Sequence, residues 1–301
     1  MRELPDFDVY SPSSLGDLLE YLHNEGRDAT IIANGTDLLP RIREGELRPR
    51  KLVDISGIRE LRYIREEDGI IRIGALTTIS DLATSPLLSH PRYEAFHVLS
   101  RMFGTWEIRN RATVGGNLGA AASSEDLIPI FLALDAHVKL VSLDGERILR
   151  VDDLVVAKRK TSKRSNEVIA EVSFKRLDEG EWSYFQKVGR RRTHIIALVS
   201  LASYLKLSPE GKIEVVRVAL NRVRGKIPER AGRTEEFLKG KKIDEEVVRR
   251  AEKVLESELK LTSDYRASYL YRTEIAKILL RRSLRHLGDR IRGEVERLAE
   301  A

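Results

Sequence analysis

The stretch SPSSLGDLLEYLHNEG, residues 11–26, sets Leu15, Leu18, Leu19 and Leu22 at spacings of three and four, the period of one helical face. Ser14 and Asp17 stand at capping-box spacing ahead of that run and Gly26 follows it, so the pattern predicts a capped helix. The period then shortens. Thr30–Ala33 is a short apolar run ended by the turn dipeptide Asn34-Gly35, a helix or turn is expected from Asp37, and residues 51–56, KLVDIS, read as the next strand. A βαβ-like start with short strands results.

Further along, IIRIGALTTISDL predicts a strand and a helix starting at Ser80, and PRYEAFHVLSRMFG puts Phe96, Leu99 and Phe103 on one helix face. AHVKLVSLDGERILRV reads as two strands joined at Asp144-Gly145, and NEVIAEVSFKRL as another. KRKTSKRSN, residues 158–166, is polar and reads as an exposed loop. A boundary is expected near Asp178-Glu179-Gly180-Glu181. Beyond it, HIIALVSLASYLKLSPEGKIEVVRVAL predicts two strands around a Pro209-Glu210-Gly211 turn. Three helices are expected after that: Asp244 to Leu261, Ala267 to His286, and a charged tail to Ala301. No repeat or low-complexity tract is present.

Composition narrows the chemistry. The 301 residues are 42% apolar and 33% charged and include no Cys. A disulfide scaffold, a thiol nucleophile and any cysteine-held zinc or iron–sulfur centre in this chain are therefore excluded. The six histidines (23, 90, 97, 137, 194 and 286) are scattered without metal-ligand spacing. No G-x-S-x-G, H-E-x-x-H or P-loop pattern occurs, and VGGNLG does not follow the order of a dinucleotide fingerprint. The net charge of +6 raises the question of nucleic acid, but no aromatic residues alternate with the basic ones. We read no nucleic-acid binding. The clusters Lys158–Lys163 and Arg190–Arg192 suit a solvated face or a docking surface for an acidic partner. No signal-like segment opens the chain and no run reaches the roughly 18 apolar residues of a membrane span, so a cytoplasmic protein without a membrane span is expected.

TVGGNLGAAASSEDLIP, residues 113–129, carries the most specific hint. Missing Cβ atoms at Gly115, Gly116 and Gly119 allow something flat or anionic to approach the backbone. Ala33-Asn34-Gly35-Thr36-Asp37 offers a second small-residue loop. Together they suit a pyrophosphate held between two loops. A plain turn at Asn34-Gly35, and a capping box of Ser123 with Asp126, account for the same residues without a ligand.

These segments also resemble a known family, the FAD-binding (medium) subunit of the molybdenum hydroxylases, which includes the carbon monoxide dehydrogenase medium subunit and the flavin domain of xanthine dehydrogenase. The family's A-G-G-x-x-L stands here as Ala33-Asn34-Gly35-Thr36-Asp37-Leu38, with Asn34 in place of the first glycine. Its T-[IV]-G-G-N is intact at Thr113–Asn117, after Ile108-Arg109-Asn110. Asp126 with Pro129 resembles its aspartate-before-proline motif. Glu167-Val168-Ile169 resembles its E-I-L strand, Tyr184-Phe185-Gln186-Lys187 its Y-x-K stretch, and DYRASYLYR, residues 264–272, its C-terminal segment. Ala122-Ser123 and Thr193-His194 depart from the family pattern and leave the branch and substrate open.

The resemblance implies an α+β fold: a two-lobed FAD-binding domain, residues 1–177, with a small α/β lobe (1–56) and a larger α+β lobe (57–177), then a C-terminal domain of antiparallel strands and helices, residues 178–301. It implies FAD bound by backbone N–H groups of both loops, with cofactor contacts at Ile31, Ile32, Ala33, Asn34, Gly35, Thr36, Asp37, Leu38, Thr113, Gly115, Gly116 and Asn117. Asp126 would hold the adenosine end, Ile169 would pack near the flavin, and Lys187 would meet it. No catalytic side chain is implied, because the isoalloxazine carries the redox chemistry. A [2Fe-2S] subunit and a molybdopterin subunit are the implied partners, in a dimer of heterotrimers. A stand-alone FAD-dependent oxidase and a non-catalytic nucleotide-binding scaffold are the alternative readings.

Overall fold

The computed structural model describes residues 4–191, 196–221, 228–260 and 263–299. The first lobe is built as β1 (Asp8–Tyr10), α1 (Leu15–Glu25), β2 (Ala29–Ile32), α2 (Leu38–Glu44) and β3 (Lys51–Asp54), a parallel sheet in the order β1-β3-β2. Ser14 caps α1 as its spacing predicts, accepting the Asp17 N–H at 3.1 Å. The reciprocal half of the box is absent. The Asp17 carboxylate instead accepts from the Ser13 N–H and the Tyr10 hydroxyl, which ties β1 to the helix. Leu18, Leu19 and Leu22 bury the predicted face against Val53, Ile55 and Ile58.

The second lobe comprises β4 (Ile64–Glu67), β5 (Ile70–Gly74), α3 (Ile79–Thr84), α4 (Glu94–Met102), α5 (Trp106–Arg109), α6 (Val114–Ala120), α7 (Leu127–Ala133), β6 (His137–Ser142), β7 (Gly145–Arg150), α8 (Val151–Leu154), β8 (Val155–Ala157), β9 (Lys160–Thr161) and β10 (Val168–Lys175). Five strands form an antiparallel sheet, β4-β5-β10-β6-β7. Helix α3 starts earlier than Ser80 because Thr78 and Asp81 form a complete capping box. The β6–β7 turn is Leu143-Asp144, one residue ahead of expectation, since Gly145 pairs with Ser142 as the first residue of β7. Every residue of α7 is buried. Its Phe131 meets Phe96 of α4 and Phe174 of β10 with ring centroids 5.9–6.5 Å apart, each ring contributing about 1.5–3 kcal/mol by burial.

The C-terminal part holds β11 (Glu181–Val188), β12 (Val199–Leu207), β13 (Ile213–Leu220), β14 (Glu229–Arg230), α9 (Gly232–Leu238), α10 (Glu245–Glu258) and α11 (Tyr269–Ala299). Its antiparallel sheet, β11-β12-β13-β14, is covered on both faces. Along β12, Val199, Leu201 and Leu205 face α9–α11, while Ala202 and Tyr204 face the core of the second lobe. The expected break between two C-terminal helices does not occur. Leu284, Leu287 and Ile291 continue one apolar stripe through Gly288, giving a single helix of 31 residues. Its Glu294 reaches the second lobe, accepting a hydrogen bond from Arg92, and also accepts one from the Trp182 indole of β11, each at 2.8 Å. His194 and Ile195 of the predicted strand, and the expected helix end at Leu261, lie outside the described residues. Among the described residues, no helix is long and apolar enough to cross a membrane.

Candidate FAD-binding cleft

A cavity of about 590 Å³ separates the first lobe from the second. One wall is β2 with the segment that leaves it, Ala33–Leu38. Gly35 turns that segment at φ +70°, a conformation that disfavours any side chain, and a Cβ there would come 2.7 Å from Leu39. The turn leaves donors free. Among the described residues the N–H groups of Gly35, Thr36 and Asp37 make no hydrogen bond, while the Gly35 carbonyl accepts from Leu39. Asn34 Nδ2 donates to the Arg111 carbonyl at 3.0 Å and so pins this wall to the opposite one. The result is a concavity of unspent N–H groups suited to an anion.

The facing wall differs from its expectation. Residues 113–117 are not a loop but the cap and first turn of α6. Thr113 accepts the Gly116 N–H on its hydroxyl at 3.1 Å, and its carbonyl accepts from Asn117. Val114 N–H goes to the Thr77 carbonyl and Gly115 N–H to the Ala75 carbonyl, at 2.9 and 2.7 Å. These donors are already used and are not available to hold a pyrophosphate. The double glycine has a packing cause instead. A Cβ on Gly115 would lie 2.7 Å from Ala75 Cβ, and one on Gly116 would lie 2.8 Å from Thr113 Oγ1. Neither glycine needs a positive φ.

The floor is polar and charged. Asn117 is buried on α6, its Nδ2 donating to Glu125 and its Oδ1 without a partner among the described residues. Burial first, then the nearby Asp37 and Asp126 carboxylates, push the Glu125 carboxyl up to about 8, against the pull of Arg159 and Lys187. Arg159, at φ +63°, crosses the cleft to Asp37 at 2.7 Å, and its N–H is held by the Ala121 carbonyl at 2.8 Å. Lys163 also lines the cavity, its ammonium on the Arg164 and Glu167 carbonyls. The segment 158–166, expected as an exposed loop, therefore includes the β8–β9 turn and turns two of its cations inward.

Residues 5–174 match the sequence family described as the FAD binding domain in molybdopterin dehydrogenase, and residues 183–287 match the CO dehydrogenase flavoprotein C-terminal domain. The chain belongs to this flavoprotein family. It is 28% identical over 285 residues to the glyceraldehyde dehydrogenase medium chain of Sulfolobus acidocaldarius, covering 94% of this chain and 99% of that one. Identity to the 6-hydroxypseudooxynicotine dehydrogenase complex subunit alpha of Paenarthrobacter nicotinovorans is 36% over 220 residues, 72% of each chain. The structure of carbon monoxide dehydrogenase from Hydrogenophaga pseudoflava superimposes with a TM-score of 0.88 at 28% identity, covering 93% of this chain and 96% of that one.

As a member of this family, the chain is an oxidoreductase subunit that binds FAD, and the cleft fits that group. Free N–H donors at Gly35–Asp37 suit an anion, apolar side chains of Ile31, Ile32 and Ile169 suit a flat ring, and among the described residues Asn117 Oδ1 is an acceptor without a partner. Of the residues anticipated from sequence, Ile31, Ile32, Ala33, Asn34, Gly35, Thr36, Asp37 and Leu38 line one wall. Thr113, Gly115, Gly116 and Asn117 line the other, with Ile169 beside them. Asp126 and Lys187 do not. Lys187 donates to Asp126 at 2.6 Å, and both are buried away from the cavity lining. Each desolvated charge offsets the burial cost of the other, and among the described residues Asp126 Oδ1 has no partner. Asp126 stands at the N-cap of α7 without a side-chain cap, so the Ser123–Asp126 capping box is absent too. Sequence reasoning missed Phe103, Arg111, Glu125, Arg159 and Lys163, all on the lining. The one signal for Arg159 was the strand-like Val155-Val156 ahead of it and Thr161 behind it, the mark of a short hairpin.

Proposed function

We propose that this chain is the electron-transfer subunit of a molybdenum hydroxylase. In this reading it takes electrons from a [2Fe-2S] subunit and delivers them to an external acceptor, within an assembly that also holds a molybdopterin subunit, as a dimer of heterotrimers. Bound FAD supplies the redox chemistry, converting between one- and two-electron transfer. The chain's own residues supply binding and orientation. Free N–H groups at Gly35, Thr36 and Asp37 take the pyrophosphate, Ile31, Ile32 and Ile169 pack on the flat ring system, and Asn117 Oδ1 accepts from a hydroxyl of the cofactor.

The observation that carries this reading is the set of unspent donors on a left-handed turn inside a cleft that also carries apolar side chains, in a chain of this family. The need for a partner follows from the sequence. With no Cys and no clustered histidines the chain has no ligands for a cluster that would load its flavin. Exposed Arg190 and Arg191 remain available for an acidic partner, whereas Arg159 and Lys163 are committed to the cleft. Co-expression of this chain with an iron–sulfur and a molybdopterin subunit, followed by size-exclusion chromatography, tests it. A single assembly containing all three is expected. An FAD-loaded chain that elutes alone at low salt would refute the relay.

A further inference from the structure

The free N–H groups of Gly35, Thr36 and Asp37 lie on a segment that the second lobe holds at both ends. At one end Asn34 Nδ2 donates to the Arg111 carbonyl at 3.0 Å, and at the other the Asp37 carboxylate accepts from Arg159 Nη1 at 2.7 Å. A single aspartate side chain therefore separates the Arg159 guanidinium from the free Asp37 N–H. Arg159 is turned inward at a cost. Its φ is +63°, its N–H is held by the Ala121 carbonyl, and Ala121 is itself left-handed at +44°. Such backbone strain in non-glycine residues gathers where a ligand is gripped. Most of the Arg159 donors are also unspent. Nη1 makes the contact to Asp37 and a looser one to the Ala120 carbonyl at 3.4 Å, while Nε and Nη2 have no partner among the described residues. The other cations of the lining differ: Lys163 sits on two carbonyls, Arg41 on Asp37 and Glu46, and Arg111 is exposed.

We propose that Arg159 is a ligand of the FAD pyrophosphate, with Asp37 as the competing partner that it gives up on binding. The guanidinium exchanges the carboxylate for phosphate oxygens beside the free N–H groups, and Arg41, 3.6 Å from the same Asp37 oxygen, keeps that carboxylate matched. This rests on the FAD reading above. The groups present favour the exchange. The Arg159 and Asp37 side chains are 29% and 35% exposed, and a pair this open to water is weak because solvent screens it. A guanidinium fork on phosphate is charge-assisted and bidentate, and so is the stronger contact. Arg159 belongs to the second lobe and the free N–H groups to the first, so a phosphate held by both also ties the two lobes together.

The test is FAD titration, followed by flavin fluorescence, of the full-length apo chain and of two variants that break the same bridge from opposite sides, Arg159→Gln and Asp37→Asn. The bridge is lost in both, so thermal unfolding without FAD should fall slightly and alike. FAD affinity should move in opposite directions. Arg159→Gln removes the charge that meets the phosphates and should raise the dissociation constant about tenfold to hundredfold, the range of a charge-assisted hydrogen bond. Asp37→Asn removes the competing carboxylate and its repulsion, and should lower the dissociation constant about threefold or more. A bridge that only braces the cleft predicts weaker FAD binding in both variants. That result overturns the inference and leaves the FAD site standing, as does an Arg159→Gln chain that binds FAD as tightly as the unaltered one. If Arg159→Gln does not fold, Asp37→Asn decides alone: tighter FAD binding supports the inference and weaker binding overturns it. An unaltered chain that binds no FAD overturns the FAD reading and this inference with it.

Discussion

Replacing Lys187 by methionine separates two roles for this residue, brace or cofactor contact. The Lys187 side chain is 1% exposed and its ammonium lies 2.6 Å from Asp126 Oδ2, while Asp126 Oδ1 has no partner among the described residues. Methionine keeps the volume of the aliphatic stem and removes the charge, so Asp126 is left buried with neither oxygen satisfied. A broken buried pair of this kind costs about 3–5 kcal/mol, a large part of the about 5–15 kcal/mol that holds a domain. The double change Lys187→Met/Asp126→Leu removes both charges and should recover most of that loss. The pH dependence has a definite sign. Burial holds the Asp126 carboxyl above its ordinary range and Lys187 pulls it down, so without Lys187 the folded chain binds that proton more tightly than the unfolded chain does. The penalty is therefore full at neutral pH and shrinks as pH falls through the carboxylate range. Denaturant unfolding at two pH values gives both numbers, with FAD affinity measured alongside. Phe103, whose ring centroid lies 6.0 Å from the Lys187 ammonium, lines the cleft, so a modest loss of FAD affinity accompanies the loss of stability. Unchanged stability with affinity lowered more than about hundredfold would show that Lys187 touches the cofactor and would refute the argument.

Gly35→Val forces a side chain into a left-handed turn and 2.7 Å from Leu39. It should cost about 1–2 kcal/mol by backbone strain and abolish measurable FAD binding by redirecting the free N–H groups. Gly115→Ala meets Ala75 Cβ at 2.7 Å and should lower stability by about 1–3 kcal/mol, seen as a lower Tm whether or not FAD is present. Gly119→Ala meets only Ile169 Cδ1, at 3.7 Å. It should leave Tm unchanged or raise it by helix propensity worth up to about 1 kcal/mol, while its methyl narrows the cleft and weakens FAD. Gly116→Val crowds the Thr113 hydroxyl that caps α6, and loss of that cap should cost about 0.5–2 kcal/mol in thermal unfolding.

The α/β start, the hairpin around Asp144 and the strands either side of Gly211 were legible because alternation, helical spacing and turn dipeptides are local signals. The cleft walls were legible through Gly35 and the Thr113–Asn117 segment, whose composition reports crowding. What that crowding was against could not be read. Gly115 is small because of Ala75, forty positions earlier, and not because of a ligand. Asp126 and Lys187 read as two separate site residues in sequence, and the fold pairs them across 61 positions. The inward turn of Arg159 depends on a left-handed residue held by Ala121, which also lies in the left-handed region. No spacing rule encodes such a contact. The unbroken α11 was obscured by Gly288, whose cost to the helix is outweighed by Leu284, Leu287 and Ile291 on one buried face.

The most direct measurement is the FAD content of the purified full-length chain, set beside that of Gly35→Val with its fold checked by circular dichroism. One FAD per chain is expected in the first, released as intact FAD on denaturation, and a folded, colourless second. A folded chain that takes up no FAD would contradict it, and so would a Gly35→Val variant that keeps full occupancy.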